Sequence, residues 1–104
     1  MYKLCFYVPA DNVEAVKAAV FAAGAGKIGN YSHCAWQILG EGQFMPLAAS
    51  NPHIGTHNQI EKVSEYKVEM VCDEAHLTAA IRALRQAHPY EEPAYQVIAC
   101  IRQT

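Results

Sequence analysis

Charge is scarce in this sequence and nowhere concentrated. Asp, Glu, Lys and Arg make up 17% of the 104 residues, the net charge is −2, and the eight Lys and Arg are scattered along the chain. That excludes the basic patch of a nucleic-acid-binding protein and the polybasic segment of a membrane-surface protein. No apolar run approaches the length of a membrane span. The opening residues, Met1-Tyr2-Lys3-Leu4-Cys5-Phe6, lack the basic region, apolar stretch and cleavage site of an export leader, so the expected compartment is the cytoplasm. The four cysteines, Cys5, Cys34, Cys72 and Cys100, form no C-x-x-C pair and no zinc-finger spacing. Each lies in a stretch read as strand, where a free Cys acts as a small apolar residue. Ser-His-Asp order, nucleophile elbow and P-loop are all absent.

What the chain does have is apolar content, at 52%. One domain spanning residues 1–104 can build a core from that. With so little charge, part of the apolar surface is expected to be buried against another chain.

The apolar residues alternate at strand and helix periods in turn. Tyr2 to Val8 reads as a strand with Leu4, Phe6 and Val8 on one face and Lys3, Cys5 and Tyr7 on the other. Pro9-Ala10-Asp11 ends it, and Asp11 with Glu14 matches a variant capping box that opens a helix. Val13, Val16, Val20 and Ala23 form its buried stripe, and Gly24 is its C-terminal stop. Gly24-Ala25-Gly26-Lys27-Ile28-Gly29 has the spacing of the dinucleotide fingerprint but the wrong context. A helix precedes it and strand-like sequence follows, the reverse of what presents a helix N-terminus to a pyrophosphate.

Tyr31 to Leu39 reads as the second strand, Gly40-Glu41-Gly42 as a turn or bulge, and Gln43 to Leu47 as a hairpin arm. Ala48 to Gln59 shows no periodicity and is the longest irregular stretch. Ser64 to Cys72 is the third strand, with Tyr66, Val68, Met70 and Cys72 on one face and Lys67, Glu69 and Val71 on the other. Asp73 caps a second helix with a stripe of Leu77, Ala80, Ile81, Leu84 and Ala87, and His88-Pro89 stops it. The last strand, Tyr95 to Ile101, sets Tyr95, Val97, Ala99 and Ile101 against Gln96, Ile98, Cys100 and Arg102. The order predicts an α+β fold: a ferredoxin-like split βαβ sandwich with an extra hairpin arm and both helices on one sheet face. The open face, with Cys5, Tyr7, Val71, Ile98 and Cys100 among charged residues, predicts a homo-oligomer.

The run His88-Pro89-Tyr90-Glu91-Glu92-Pro93-Ala94-Tyr95 concentrates an imidazole, two carboxylates and two phenols between prolines. It has three readings: a metal site, an acid/base site, or a stiff turn. Glu91 and Glu92 are adjacent and point apart in extended backbone, which makes them poor bidentate partners. His88 with one of them supplies two ligands, fewer than a closed metal site, and His33, His57 or Cys34 could add a third only through the fold. The stiff turn accounts for the prolines and aromatics without further chemistry and is preferred. His53 and His57 read as an exposed loop pair, His76 as solvent-facing, and Tyr2, Tyr7, Tyr31 and Tyr66 as packing residues.

A set of motifs spanning nearly the whole chain then carries a resemblance. Gly24-Ala25-Gly26, Ile28-Gly29-Asn30-Tyr31 with Cys34, Gly40-x-Gly42-x-Phe44-x-Pro46 and Pro52-x-Ile54-Gly55 are followed by Glu61-x-Val63-x-Glu65, Glu69 and the His88 to Tyr95 run. In this order they resemble the domain inserted in YqfO-type proteins of the Nif-three-like (Ngg-one-interacting-factor-three-like) family, which also occurs as a stand-alone protein. That domain is similar in fold to the trimeric PII and CutA proteins, and CutA proteins carry a His-Pro-Tyr run before their last strand. Asn58 stands where the family usually has glycine and can keep the same left-handed turn. Ala49 replaces another glycine, Trp36 a smaller aromatic, and Gln96 a usual acid. Full-length members wrap this domain with segments supplying histidine and carboxylate ligands for two metal ions. Those ligands have no counterpart in these 104 residues, so the resemblance implies fold and assembly more than activity.

Taken together, these readings lead to the expectation of a non-enzymatic, PII/CutA-like homo-oligomer, most simply a trimer, with no cofactor. Its inter-subunit clefts near Gly29, Tyr31, His33, His88, Tyr90, Glu91 and Glu92 would hold a small ligand or protein partner. The alternatives are a metal-ion-binding protein using His88 and nearby carboxylates, and a small hydrolase-type enzyme using Glu91 or Glu92 with His88.

Overall fold

The computed structural model describes residues 1–101. Four strands and two helices follow in the order β1 (Tyr2–Pro9), α1 (Val13–Ala22), β2 (Trp36–Phe44), β3 (Glu61–Cys72), α2 (Glu74–Ala87) and β4 (Tyr95–Ala99). The strands make one antiparallel sheet in the order β2-β3-β1-β4, the arrangement of the expected ferredoxin-like plan. β1 and β3 lie in the middle and β2 and β4 are the edges. No described helix is long and apolar enough to cross a membrane.

Strand alternation divides the sheet as read from the sequence. Leu4, Phe6 and Val8 on β1 and Val68 and Cys72 on β3 are all but inaccessible, and Met70 is nearly so. Val13, Val16 and Val20 of α1 and Ala80 and Leu84 of α2 close the core over them. Each fully buried Val, Leu or Phe side chain among them contributes about 1.5–3 kcal/mol relative to exposure. Leu77 and Ala87 pack at the core margin, and Ile81 is only partly buried.

The helix ends are built differently. A single 3₁₀ turn, Ala10–Asn12, leads into α1, and no side chain caps it, so Asp11 does not play the capping role its spacing suggests. At the other end Gly24 takes φ +113°, its amide donates to Phe21 O at 3.0 Å and that of Ala25 to Val20 O at 3.4 Å. This paired closure is the one glycine favours at helix ends. In α2 the Asp73 carboxylate accepts from His76 N at 3.0 Å, the expected cap. His76 is not simply solvent-facing: its ring bonds Asp73 at 2.6 Å and covers Gly24, where a β-carbon would collide with it.

Two strands depart from expectation. β2 begins at Trp36 rather than Tyr31 and runs unbroken through Gly40, Glu41 and Gly42, pairing residue by residue with β3 from Trp36↔Glu69 to Phe44↔Glu61. The expected turn at Gly40–Gly42 is therefore strand, because nine consecutive pairings outweigh the weak local preference of two glycines. β3 starts three residues early, at Glu61. Its first part pairs only with β2, so the β2–β3 hairpin is the arm and projects beyond β1. The arm lengthens the molecule to 49 × 24 × 24 Å, with a radius of gyration of 14.6 Å against about 13 Å for a compact chain of this length. β4 stops at Ala99, which leaves Ile101 exposed instead of on the core face. Arg102 lies outside the described residues. All four cysteines are free; Cys5 and Cys72 are buried strand residues, whereas Cys34 sits in the α1–β2 connection and Cys100 is exposed just past β4.

The open sheet face follows from the register. Lys3, Cys5 and Tyr7 stand beside Val71, Glu69 and Lys67 of β3, flanked by Trp36 and Ile38 on one edge and Gln96 and Ile98 on the other. Glu69 bridges Lys3 at 3.1 Å and Lys67 at 3.4 Å, and the Lys3 ammonium above all holds its carboxyl below the usual carboxylate range. Around this ionic centre Trp36 is 59%, Ile38 52% and Ile98 50% exposed.

Candidate functional site

Helix α2 ends where His88 meets Pro89. His88 adopts φ −70°, ψ 136°, the extended conformation that a following proline favours, while its amide still donates to Leu84 O at 2.9 Å. That turn of the backbone drives the imidazole inward, to 5% exposure, against β1. Its Nε2 lies 2.7 Å from the Tyr7 carbonyl, and Tyr90 N donates to its Nδ1 at 3.1 Å. The two bonds define one tautomer: Nε2–H donates to Tyr7, and Nδ1 accepts from Tyr90. Tyr7 in turn donates its amide to Ala94 O at 3.2 Å, just before β4 begins. The imidazole thus takes up a strand carbonyl at the rung where regular β1–β4 pairing stops. Burial pushes the His88 pKa below its ordinary value; the bond to the Tyr7 carbonyl partly opposes this, and nearby His53 adds to it.

With both nitrogens engaged, His88 can coordinate a metal or carry a proton only by breaking one of these bonds. The side chains proposed to join it lie elsewhere. Glu91 Oε1 accepts from Asn51 N at 3.2 Å, and Glu92 is exposed. His57 bonds Ser50 O at 2.9 Å, and His33 bonds Ser32 Oγ at 2.9 Å with its ring against Phe21. Among the described residues no three His, Cys, Asp or Glu side chains are grouped to hold a metal ion.

The turn instead forms one wall of a cavity of about 520 Å³. Phe44 ends β2, and Met45, Pro46 and Leu47 continue from it; Pro52 and Ile54 of the irregular loop face them. That loop is held by local bonds: Ser50 Oγ donates to Leu47 O at 2.7 Å and Asn58 N to Pro46 O at 2.6 Å. Asn58 has φ +63°, the left-handed turn expected of it. Tyr90 stands between the two sides, its ring centroid 5.7 Å from Phe44, 6.4 Å from His53 and 5.0 Å from His88. The Tyr90 hydroxyl is buried and has no hydrogen-bond partner. Glu65 of β3 also lines the cavity, and burial pushes its pKa up. The Tyr90 phenol is raised too, by burial first and by the Glu65 charge second.

Of the residues singled out in the sequence, Tyr90, Glu91 and Glu92 line this cavity, and His88 supports it from behind. Gly29, Tyr31 and His33 do not. They lie in the α1–β2 connection, which is tied to the opposite end of the sheet by Gly26 N donating to Val71 O at 2.8 Å. Tyr31 is 76% exposed, not the packing residue expected. Within one protomer the two groups do not meet. Glu65 was missed as a site residue because strand alternation alone places it on an ordinary polar face. The signal that could have found it is Gly42, where a β-carbon would collide with the Glu65 carboxylate; a glycine inside a strand marks such a close approach.

No family model matches the chain. Among curated proteins, the GTP cyclohydrolase 1 type 2 homolog of Mycobacterium leprae is 48% identical over 99 residues, which is 95% of this chain and 26% of that protein. Among solved structures, a Bacillus cereus protein related to NIF3 superposes with a TM-score of 0.80 at 38% identity, over 93% of this chain and 24% of that one. The divalent cation tolerance protein CutA of Archaeoglobus fulgidus superposes with a TM-score of 0.70 over 100% of this chain and 88% of that one, at 13% identity, a likeness of fold. The chain spans about a quarter of the length of the curated relatives it matches. Over that shared segment it is similar to the NIF3-related and GTP cyclohydrolase 1 type 2 homolog proteins, and it has a CutA-like, ferredoxin-like fold.

Proposed function

We propose that this chain is a non-enzymatic assembly and binding module, a PII/CutA-like homotrimer whose open sheet faces are covered by neighbouring copies. The observation that carries the reading is the open face itself. Trp36, Ile38 and Ile98 are each at least half exposed around the Lys3–Glu69–Lys67 ionic centre. A flat face of that composition gains by excluding water against a like surface. The resemblance to the trimeric PII and CutA proteins supports three copies. The engagement of His88 at both ring nitrogens favours binding over acid/base work. The cyclohydrolase name belongs to relatives roughly four times as long, and no such activity is proposed for this segment.

Light scattering at micromolar concentration tests the assembly. A mass of three times 11.5 kDa is expected, with Trp36→Asp lowering it. A monomer for the unaltered chain would sink the proposal.

A further inference from the structure

The cavity between the arm and the His88 turn has a chemistry that selects its occupant. Its walls are apolar and aromatic: Phe44, Pro46, Leu47, Pro52 and Ile54 surround the ring of Tyr90. Its charged groups are all of one sign, for Glu65, Glu91 and Glu92 line it and no Lys or Arg does. Among the other polar lining residues, Gln43 and Ser50 carry no charge. A phosphate or carboxylate placed there would meet three carboxylates with nothing to neutralise it.

Two further observations point to a cation. The Tyr90 hydroxyl is buried without a partner in the cavity that Glu65 also lines. A hydroxyl left in that condition costs free energy until a donor or an acceptor reaches it, and an ammonium N–H can serve. Gly42 makes the room: any β-carbon there would collide with the Glu65 carboxylate, so the glycine is what lets that carboxylate lie across the arm at the cavity. The ring of Tyr90 lies 5.7 Å from that of Phe44 and 6.4 Å from that of His53, so aromatic surface lines the cavity beside the carboxylates. Aromatic faces and carboxylates together attract an ammonium, whose three N–H donors suit the Tyr90 oxygen and the flanking carboxylates.

We propose that this cavity binds a small primary amine carried on an apolar body, the ammonium at Tyr90 and Glu65 and the apolar part against Phe44, Leu47 and Ile54. The volume, about 520 Å³, is that of an ordinary small-molecule site. All its walls come from one protomer, but Tyr7, Phe44 and Glu65 belong to the open sheet face, so a copy covering that face would border the site; the mass measurement and the titration below read the two proposals separately.

The test is a charge series on one scaffold, titrated into the full 104-residue chain and followed by amide NMR: 4-phenylbutylamine, 4-phenylbutanol and 4-phenylbutyrate. The amine is expected to shift the amides of Ser50, Ile54 and Glu91 and to bind at least tenfold tighter than the alcohol, with the carboxylate weakest. Glu65→Gln is expected to bring amine and alcohol to within about twofold, and Tyr90→Phe to weaken the amine several-fold. Both variants keep the size of the side chain, and the spectrum of each reports its folding. The series on the unaltered chain decides the matter without them. Equal or tighter binding of the carboxylate, shifts confined to residues outside the cavity, or no binding by any member of the series would overturn the proposal.

Discussion

Ala22 to Trp36 and Ala87 to Tyr95 make the same topological step, from a helix into an edge strand, by different chemistry. The first joint is made of backbone. Gly24 and Gly26 take positive φ, Gly26 N donates to Val71 O, and Cys34 N returns to Gly26 O at 2.8 Å. The second joint is made of side chains. Two prolines stiffen it, and an imidazole bridges the Tyr7 carbonyl and the Tyr90 amide. A backbone joint leaves its side chains free, and Tyr31 and His33 are indeed exposed. A side-chain joint occupies its most reactive group. The residue that looked most like chemistry in the sequence is therefore the one whose chemistry is already committed to the fold.

The sharpest way to break this contrast is His88→Ala. It leaves a buried carbonyl and amide without partners and is expected to cost about 2–4 kcal/mol in chemical denaturation. His88→Gln, which can still donate toward Tyr7, should recover part of that. The pH dependence has a definite sign. The folded-state pKa of His88 lies below its ordinary 6.5, so the unfolded chain binds the proton more readily. The stability contributed by the neutral ring is present above pH 6.5 and is lost as pH falls through the lower folded value. Thermal melts across that window should show a decline that His88→Gln flattens; an unchanged decline would remove His88 as its source.

A smaller loss is expected at the backbone joint. Gly26 has φ +79°, and a β-carbon there would press on the Phe21 ring and the Cys34 carbonyl. Gly26→Ala should cost about 1–3 kcal/mol, with no new pH dependence, since no titrating group bridges this joint. The smallest effect is at the α2 cap, where Asp73→Ala should lower Tm by a few degrees and Asp73→Asn should restore it. If Asn fails to restore it, the bond from His76 to Asp73, rather than the cap, is what matters.

The fold was legible because local signals and tertiary packing agree over most of the chain. Alternation on β1 and β3 named the core residues, and Asp73, Gly24 and His88-Pro89 marked helix ends that the structure keeps. It was illegible where local and non-local forces oppose. Asp11 had the spacing of a cap but met a 3₁₀ turn, and Gly40 and Gly42 had the look of a turn but lie in a ladder with β3. The site was legible only in part. The His88 run exposed Tyr90, Glu91 and Glu92, but their neighbours come from segments with no proximity in the chain.

The sequence by itself determined the periods, the stops and the composition: which faces are apolar, where the helices end, and how little charge covers the surface. These depend on neighbours three or four residues away, and short-range sterics and hydrogen bonding suffice to read them. Tertiary structure alone decided what His88 does, because its acceptor, Tyr7, lies 81 residues away. It alone brought Glu65 under Gly42 and set loop, arm and turn around one cavity. A side chain's chemistry is set by what surrounds it, and here those surroundings are assembled only when the sheet closes.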